Sequence, residues 1–403
     1  MPRMLSCSSC WVYNKMEILN DGVTAVTGVS AVGSAIGIKK SGKKDLALIC
    51  SSVPCNAAAV YTKNHVKGAP LAITKSHLKD GKAQAIIVAS GVANVCTGKK
   101  GLKDAEKMAE LAAHEMGIKK ENVLVASTGV IGAFLPMGVI GQGIKGLKQH
   151  LSRKGIDAAE AILTTDAGVK QAAVKLGNIT IGAIAKGAGM IHPNMATMLC
   201  FIFTDAKFSS SKLQTMLKKA ADSSFNMISV DMDTSTSDMA ILMANGLKGE
   251  IKEETFQEGL NAVCIALAKK VVTDGEGATK LIEVQVKDAK TLAQARTLAR
   301  SVISSNLVKA ACFGNDPNWG RILAAMGKSS EWFDQENVDI YIQGTPVVGK
   351  GIALGFNKSL VSHAMKAKEL HILVSLNSGK EAATAWGCDL THEYIKINAE
   401  YTT

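Results

Sequence analysis

Aromatic residues are scarce in this 403-residue chain, at 4%, so its core must be filled by Ala, Val, Ile, Leu and Met. The same scarcity removes the stacking platforms on which single-stranded nucleic acid is held. The formal net charge of +11 is therefore a footprint without a reader. Its lysines are spread along the chain, and short clusters such as Lys39-Lys40-Ser41-Gly42-Lys43-Lys44 and Lys99-Lys100 read as solvated loops. Attraction of a small anionic substrate is a more economical use of the excess. No apolar run approaches the roughly 18 residues of a membrane span, and the first sixteen residues lack the apolar middle of a secretory signal. No Pro/Ser-rich linker divides the chain, and neither G-x-x-x-x-G-K-[ST] nor H-E-x-x-H occurs. Nucleic acid, membrane and metal are not expected partners.

Cysteines number nine, an odd count, and most lie inside apolar runs, as Cys200 and Cys264 do. That fits reduced, buried thiols in a cytoplasmic protein. Cys7-Ser-Ser-Cys10 has no second pair at zinc-ligand spacing and no strand–helix context for redox work. Residues 1–16 read as a disordered extension, with Met16 an alternative start. With 47% apolar and 20% charged residues, the rest is an ordinary globular sequence of roughly two to three domain-sized units.

Apolar runs alternate with helical periodicities. Ala83–Ala89, Val123–Ala126, Ile181–Ala185, Met198–Phe203, Leu281–Val286, Val338–Ile342 and His371–Leu376 read as strands. A helix opening at Asp104 shares a face of Met108, Leu111, Ala112 and Met116. Ser209–Ser211 can cap another, with Leu213, Met216, Leu217 and Ala220 behind it. A third runs from Glu254 to about Val271, aligning Phe256, Leu260, Val263 and Leu267. Mixed elements without a repeat indicate an α/β or α+β protein. Gly141-Gln-Gly143-Ile-Lys-Gly146 matches the dinucleotide fingerprint, but Met137, Ile140, Ile144, Leu147 and Leu151 fall at helical spacing through it. It reads as part of an amphipathic helix rather than a strand-to-helix phosphate turn.

The segment Lys186–Phe203, KGAGMIHPNMATMLCFIF, changes character at Thr197. Gly187, Gly189, Pro193 and Asn194 favour turns, and a strand-like run follows. An unactivated hydroxyl is a weak nucleophile. A free α-amine, with a pKa of about 8, can serve it as a base where a peptide nitrogen cannot. An internal threonine acquires that amine only if the bond before it, from Ala196, is cut.

Lys186-Gly-Ala-Gly-Met-Ile-His-Pro-Asn-Met-Ala-Thr197-Met-Leu resembles the signature of the ornithine acetyltransferases, the glutamate N-acetyltransferases of arginine biosynthesis. Further segments resemble that family in the same order: Val53–Asn64, Ser127–Gly132, Thr164-Thr-Asp166, Ser229–Thr236, Asp274–Lys280, Gly314–Arg321 and Asn398–Thr403. The resemblance covers the chain from about Gly22 onward. It implies an α/β fold, an αββα layered sandwich of the ornithine acetyltransferase and self-cleaving aminopeptidase type. It also implies cleavage between Ala196 and Thr197, giving an α chain (1–196) and a β chain (197–403) that fold together and pair as α2β2.

The same likeness implies transfer of acetyl from N-acetylornithine to glutamate through an acetyl-Thr197 intermediate. Thr128 and Gly129 match the family's oxyanion residues, and Thr164, Lys186, Thr197, Glu276, Asn398 and Thr403 its substrate contacts. Alone, Lys186 and Glu276 would read as solvated surface charges, and Thr128-Gly129 as a strand-to-loop turn. No metal and no bound organic cofactor is implied; acetyl-CoA is a co-substrate in some members. The chain departs from the family where Ala188 replaces a usual serine, Ala167 a usual threonine, and Val92 interrupts an Asn-rich segment. The rival reading is a self-processed amidase or aminopeptidase of related fold, with water as acceptor. Such enzymes typically use serine where this chain has Thr197.

Overall fold

The strand Leu46–Tyr61 organises the fold. In the computed structural model, residues 16–192 and 198–400 are described; residues 1–15, 193–197 and 401–403 are not. The sixteen-residue strand carries a register shift between Cys50 and Cys55 and so serves two halves of one sheet. Its first half pairs with Val29–Ser34 and Lys82–Val92. Its second half pairs with Met239–Ala244. Among the described residues the sheet has nine strands. From the Met16–Leu19 edge it runs through Lys170–Leu176, Ile179–Lys186, Leu199–Thr204, Met239–Ala244, Leu46–Tyr61 and Lys82–Val92 to Val123–Val130.

Strand alternation shows how the two halves lie. Ala47, Ile49, Ile86, Val88 and Leu124 share one core with Phe201, Phe203, Ile241 and Met243, so the inner faces of both halves meet. The outer face of one half, with Leu46, Leu48, Ile87 and Val125, is covered by Ala105, Met108 and Ala112 of the helix Gly98–Met116. The outer face of the other, with Cys200, Ile202 and Leu242, is covered by the helices Ser210–Ser223 and Glu253–Thr273. This is the expected helix–strand–strand–helix layering. Because Leu199–Thr204 is covered on both faces, every residue in it is buried. That is why it reads in sequence as a continuous apolar run rather than an alternating one.

A second sheet, of seven strands among the described residues, runs in the order Ile352–Ala353, Thr345–Gly349, Asp339–Ile342, Glu369–Ser375, Leu281–Ala289, Glu381–Cys388, Ile228–Ser229. The helix Leu292–Ile303 lays Ala295, Leu298, Ala299 and Val302 against Ile282, Val284 and Val286. Among the described residues no helix is long and apolar enough to cross a membrane.

The seven strands expected from apolar runs are all present, with ends shifted by up to four residues. Ser209 caps its helix, its side chain accepting from the Lys212 N–H. Four local expectations need correction. The helix expected to open at Asp104 begins at Gly98, because the polar turn preceding the apolar stripe is already helical. The helix expected to run past Gly146 stops: Met137–Ile144 ends there and Leu147–His150 follows. Gly146 takes a φ of 79°, a left-handed conformation that breaks the ladder. Its first glycine still lies within a helix and well beyond the preceding strand, so the phosphate-turn geometry is not formed. Finally, the 39–44 lysine cluster is not wholly solvated. Lys39 is half-buried, its Nζ donating to the Lys44 and Leu163 carbonyls at 2.7 Å each. Met16 is not part of an extension either, since it pairs with Leu176 in the sheet.

Candidate active site

Closing the sheet on itself brings together strand ends that lie far apart in its order. Lys186 ends the strand Ile179–Lys186, and Thr128 lies near the end of Val123–Val130. Lys186 Nζ donates to Thr128 Oγ1 at 3.2 Å. With its oxygen accepting from an ammonium, the Thr128 hydroxyl keeps its own proton free to donate elsewhere, and the positive neighbour strengthens that donation.

Gly129 follows with a φ of 127°, where a side chain is strained. A Cβ there would stand 2.3 Å from the Gly91 carbonyl carbon. The two glycines face each other across the strand pair, beside the register shift at Val92. Glycine at 129 is therefore required by both conformation and space. Gly129→Ala is expected to push the two strand ends apart and to lower the unfolding midpoint in urea. An unaltered midpoint would show that the pair can separate without cost.

Thr164, Lys186 and Glu276 are tied together by a buried network. Asp166 accepts from the Thr164 N–H at 3.0 Å, from the Gly187 N–H at 2.6 Å and from Lys170 Nζ at 2.6 Å. Lys170 also donates to Asp274 Oδ2 at 2.5 Å, and Asp274 receives the Ala167 N–H at 3.1 Å. Two residues on, the Glu276 N–H donates to the Ala188 carbonyl at 3.0 Å. A Cβ on Gly189 would fall 2.5 Å from the Glu276 carboxyl, so only glycine lets that carboxylate lie against the Lys186–His192 segment. Glu276 Oε2 accepts from Asn398 Nδ2 at 2.8 Å, the asparagine sitting on the exposed helix His392–Glu400.

The electrostatics follow from burial and close charges. Burial lowers the Lys186 ammonium below its ordinary pKa, opposed by Asp166, Asp238 and Glu276. Burial would raise Asp166, but Lys186, Lys170 and the hydrogen bonds outweigh it and hold the carboxyl well below the usual range. Burial brings Lys39 down to about 8, against the pull of Asp45, with Lys186 adding to the fall.

The ArgJ family model matches residues 30–403. The chain belongs to the ArgJ family. It is 50% identical over 402 residues to the arginine biosynthesis bifunctional protein ArgJ of Symbiobacterium thermophilum, covering 96% of this chain and all of that protein. The protein of the same name from Caldanaerobacter subterraneus is 47% identical over 404 residues, with 96% of this chain and 100% of the relative covered. Among solved structures, the ornithine acetyltransferase of Mycobacterium tuberculosis complexed with ornithine is 41% identical with a TM-score of 0.44. That match covers 45% of this chain and all of the other.

Of the residues that the family resemblance named, the structure brings Thr128, Gly129, Lys186 and, through Asp166, Thr164 to one place. Glu276 joins them by charge and through the Lys186–His192 backbone, and Asn398 joins through Glu276. Ala196, Thr197 and Thr403 lie outside the described residues. Lys186 and Glu276, which alone read as surface charges, are both half-buried.

Four further residues of the cluster went unnamed by the sequence. Asp166 and Asp274 were visible only as ends of the family-like segments Thr164-Thr-Asp166 and Asp274–Lys280, and Lys170 gave no signal. Asp238 is buried, its Oδ2 has no hydrogen-bond partner among the described residues, and burial raises its carboxyl well above the usual range despite Ser235 and Lys186. The Met239 N–H donates to the Met198 carbonyl at 3.1 Å, which fixes Asp238 beside the start of Leu199–Thr204. The polar stretch Ser229–Thr236 before an apolar strand was its only sequence hint.

Proposed function

We propose that this ArgJ-family chain transfers acetyl from N-acetylornithine to glutamate, yielding ornithine and N-acetylglutamate in arginine biosynthesis. The precursor cuts itself between Ala196 and Thr197, so residues 1–196 and 197–403 become two chains of one folded unit that pairs as α2β2. The Thr197 hydroxyl attacks the acetyl carbonyl while its freed amine takes the proton. The tetrahedral oxyanion collapses, the C–N bond breaks, and the proton passes to the departing ornithine amine. The α-amine of glutamate then attacks the ester, and the threonine hydroxyl is regenerated.

The observation that supports this reading is the Lys186–Thr128–Gly129 cluster. A hydroxyl primed by an ammonium, followed by an N–H on a glycine that other backbone can approach, suits a developing oxyanion. Lys186 adds positive charge for substrate α-carboxylates, and Glu276, steadied by Asn398, supplies a carboxylate for the amine. Thr164 and Thr403 complete the proposed substrate contacts.

Thr128→Val is expected to lower kcat by about a hundredfold or more while leaving KM nearly unchanged, since an oxyanion donor acts in the transition state. A change confined to KM would remove Thr128 from that role. The assay for the reaction as a whole offers N-acetylornithine with glutamate, N-acetylornithine alone, and acetyl-CoA with glutamate. Acetylglutamate from the first mixture alone means recycling only; product from the third as well means a bifunctional enzyme. Equal release of ornithine with and without glutamate would overturn the reading in favour of an amidase.

A further inference from the structure

Away from the Thr128–Lys186–Glu276 cluster, a cavity of about 530 Å³ opens between the helix Leu292–Ile303 and the segment around His192. That volume lies within the range of small-molecule sites. Lys63, Arg296, Arg300 and Lys328 line it, against one carboxylate, Asp222. The carboxylate is already engaged, accepting from Asn226 Nδ2 at 2.8 Å. Lys63, Arg296 and Lys328 have no ion-pair or side-chain hydrogen-bond partner among the described residues.

Arg296 and Arg300 stand four residues apart on one helix. Like charges at that spacing disfavour a helix, and a bound anion would relieve the repulsion. His192 steadies Arg300 without adding an opposing charge. Its Nε2 accepts from Arg300 Nη2 at 3.1 Å, and its Nδ1 lies 3.0 Å from Ser229 Oγ. Burial, with the neighbouring Arg300, lowers the imidazole to about 4, so at neutral pH the ring is an uncharged acceptor at Nε2 and a donor at Nδ1.

We infer that this cavity is a binding site for a diphosphate-bearing small molecule. A ligand with a single carboxylate would offset only one of the three cations Lys63, Arg296 and Lys328. A diphosphate carries several charges and many acceptor oxygens for the forked donors of Arg296 and the ammonium groups of Lys63 and Lys328, and Thr297 adds a hydroxyl to the lining. A concave site with no Phe, Tyr or Trp among its described lining residues suits a small ligand rather than a nucleic-acid strand. Among the described residues the cavity shares no lining residue with the proposed acetyl-transfer site, and the inference does not rest on that reading.

Calorimetric titration of the full chain with inorganic pyrophosphate tests it, with ADP and coenzyme A as parallel arms. Pyrophosphate is expected to bind, and Arg296→Ala/Lys328→Ala to weaken it about tenfold or more. Lys79→Ala/Lys366→Ala, which removes two exposed lysines outside the cavity, should leave binding unchanged. Gain by ADP and coenzyme A alike would support a nucleotide; gain by coenzyme A alone would support an acyl carrier. Gain by neither would leave the diphosphate itself as the recognised group. Absence of pyrophosphate binding, wild-type affinity in the first variant, or equal loss in the second would overturn the site. The last result would show diffuse attraction to a basic protein. Circular dichroism checks the fold, and Arg296→Gln/Lys328→Gln replaces the alanine variant if that one misfolds.

Discussion

Thr197→Ala is expected to run as a single chain of 42.3 kDa on a denaturing gel, where the parent is expected to give two bands near half that mass, and to lose acetyl transfer entirely. Two separate requirements fail at once. Without the hydroxyl, nothing attacks the Ala196 carbonyl, so no ester forms for water to open. Without cleavage, the nitrogen of residue 197 remains a peptide nitrogen and cannot accept a proton, whereas a freed α-amine with a pKa of about 8 can. Thr197→Ser separates the two, since it keeps a hydroxyl and should still mature. If the alanine variant is cut and turns over, the nucleophile lies elsewhere. Detection of only the original first residue by end-group sequencing of fully active protein would remove the freed amine from the mechanism.

Lys170→Met is expected to cost about 3–5 kcal/mol in unfolding free energy, the range for removing one partner of a buried ion pair. Lys170 is 1% exposed and Asp166 8%, so water cannot replace the lost ammonium. Asp166 also holds the Thr164 and Gly187 N–H groups, so its displacement should disturb the Lys186–Thr128 contact and lower kcat as well. Adding Asp166→Asn should recover part of the stability, because it removes the stranded charge; a strictly additive double variant would show that the pair is not coupled.

The acid dependence follows from the same network. The folded Asp166 carboxyl is held below its unfolded value. Its stabilisation is fully present above about pH 5 and is lost progressively as pH falls through the unfolded value towards the folded one. Urea midpoints of the parent should therefore drop between pH 5 and pH 3 more steeply than those of Asp166→Asn.

The strands were legible where burial on both faces leaves an unbroken apolar run, as in Leu199–Thr204, and the helices where a stripe recurs, as in Glu253–Thr273. The long strand Leu46–Tyr61 escaped notice because Ser51-Ser52-Val53-Pro54 interrupts it at its bend. The pairing of Lys170 with Asp274 escaped for a different reason. They are 104 residues apart, and a lysine carries no local mark of a distant carboxylate partner.

The sequence by itself determined the alternation of elements and, through ordered motifs, the family. Those depend on residue type and near-neighbour spacing, which the chain carries along its length. Only the tertiary structure decided that Lys186 meets Thr128 across the folded sheet, that Asp166 joins Thr164 to Gly187, and that four cations converge beside His192. Closure of one sheet, driven by burial of its shared inner face, sets those distances, and no local pattern encodes them.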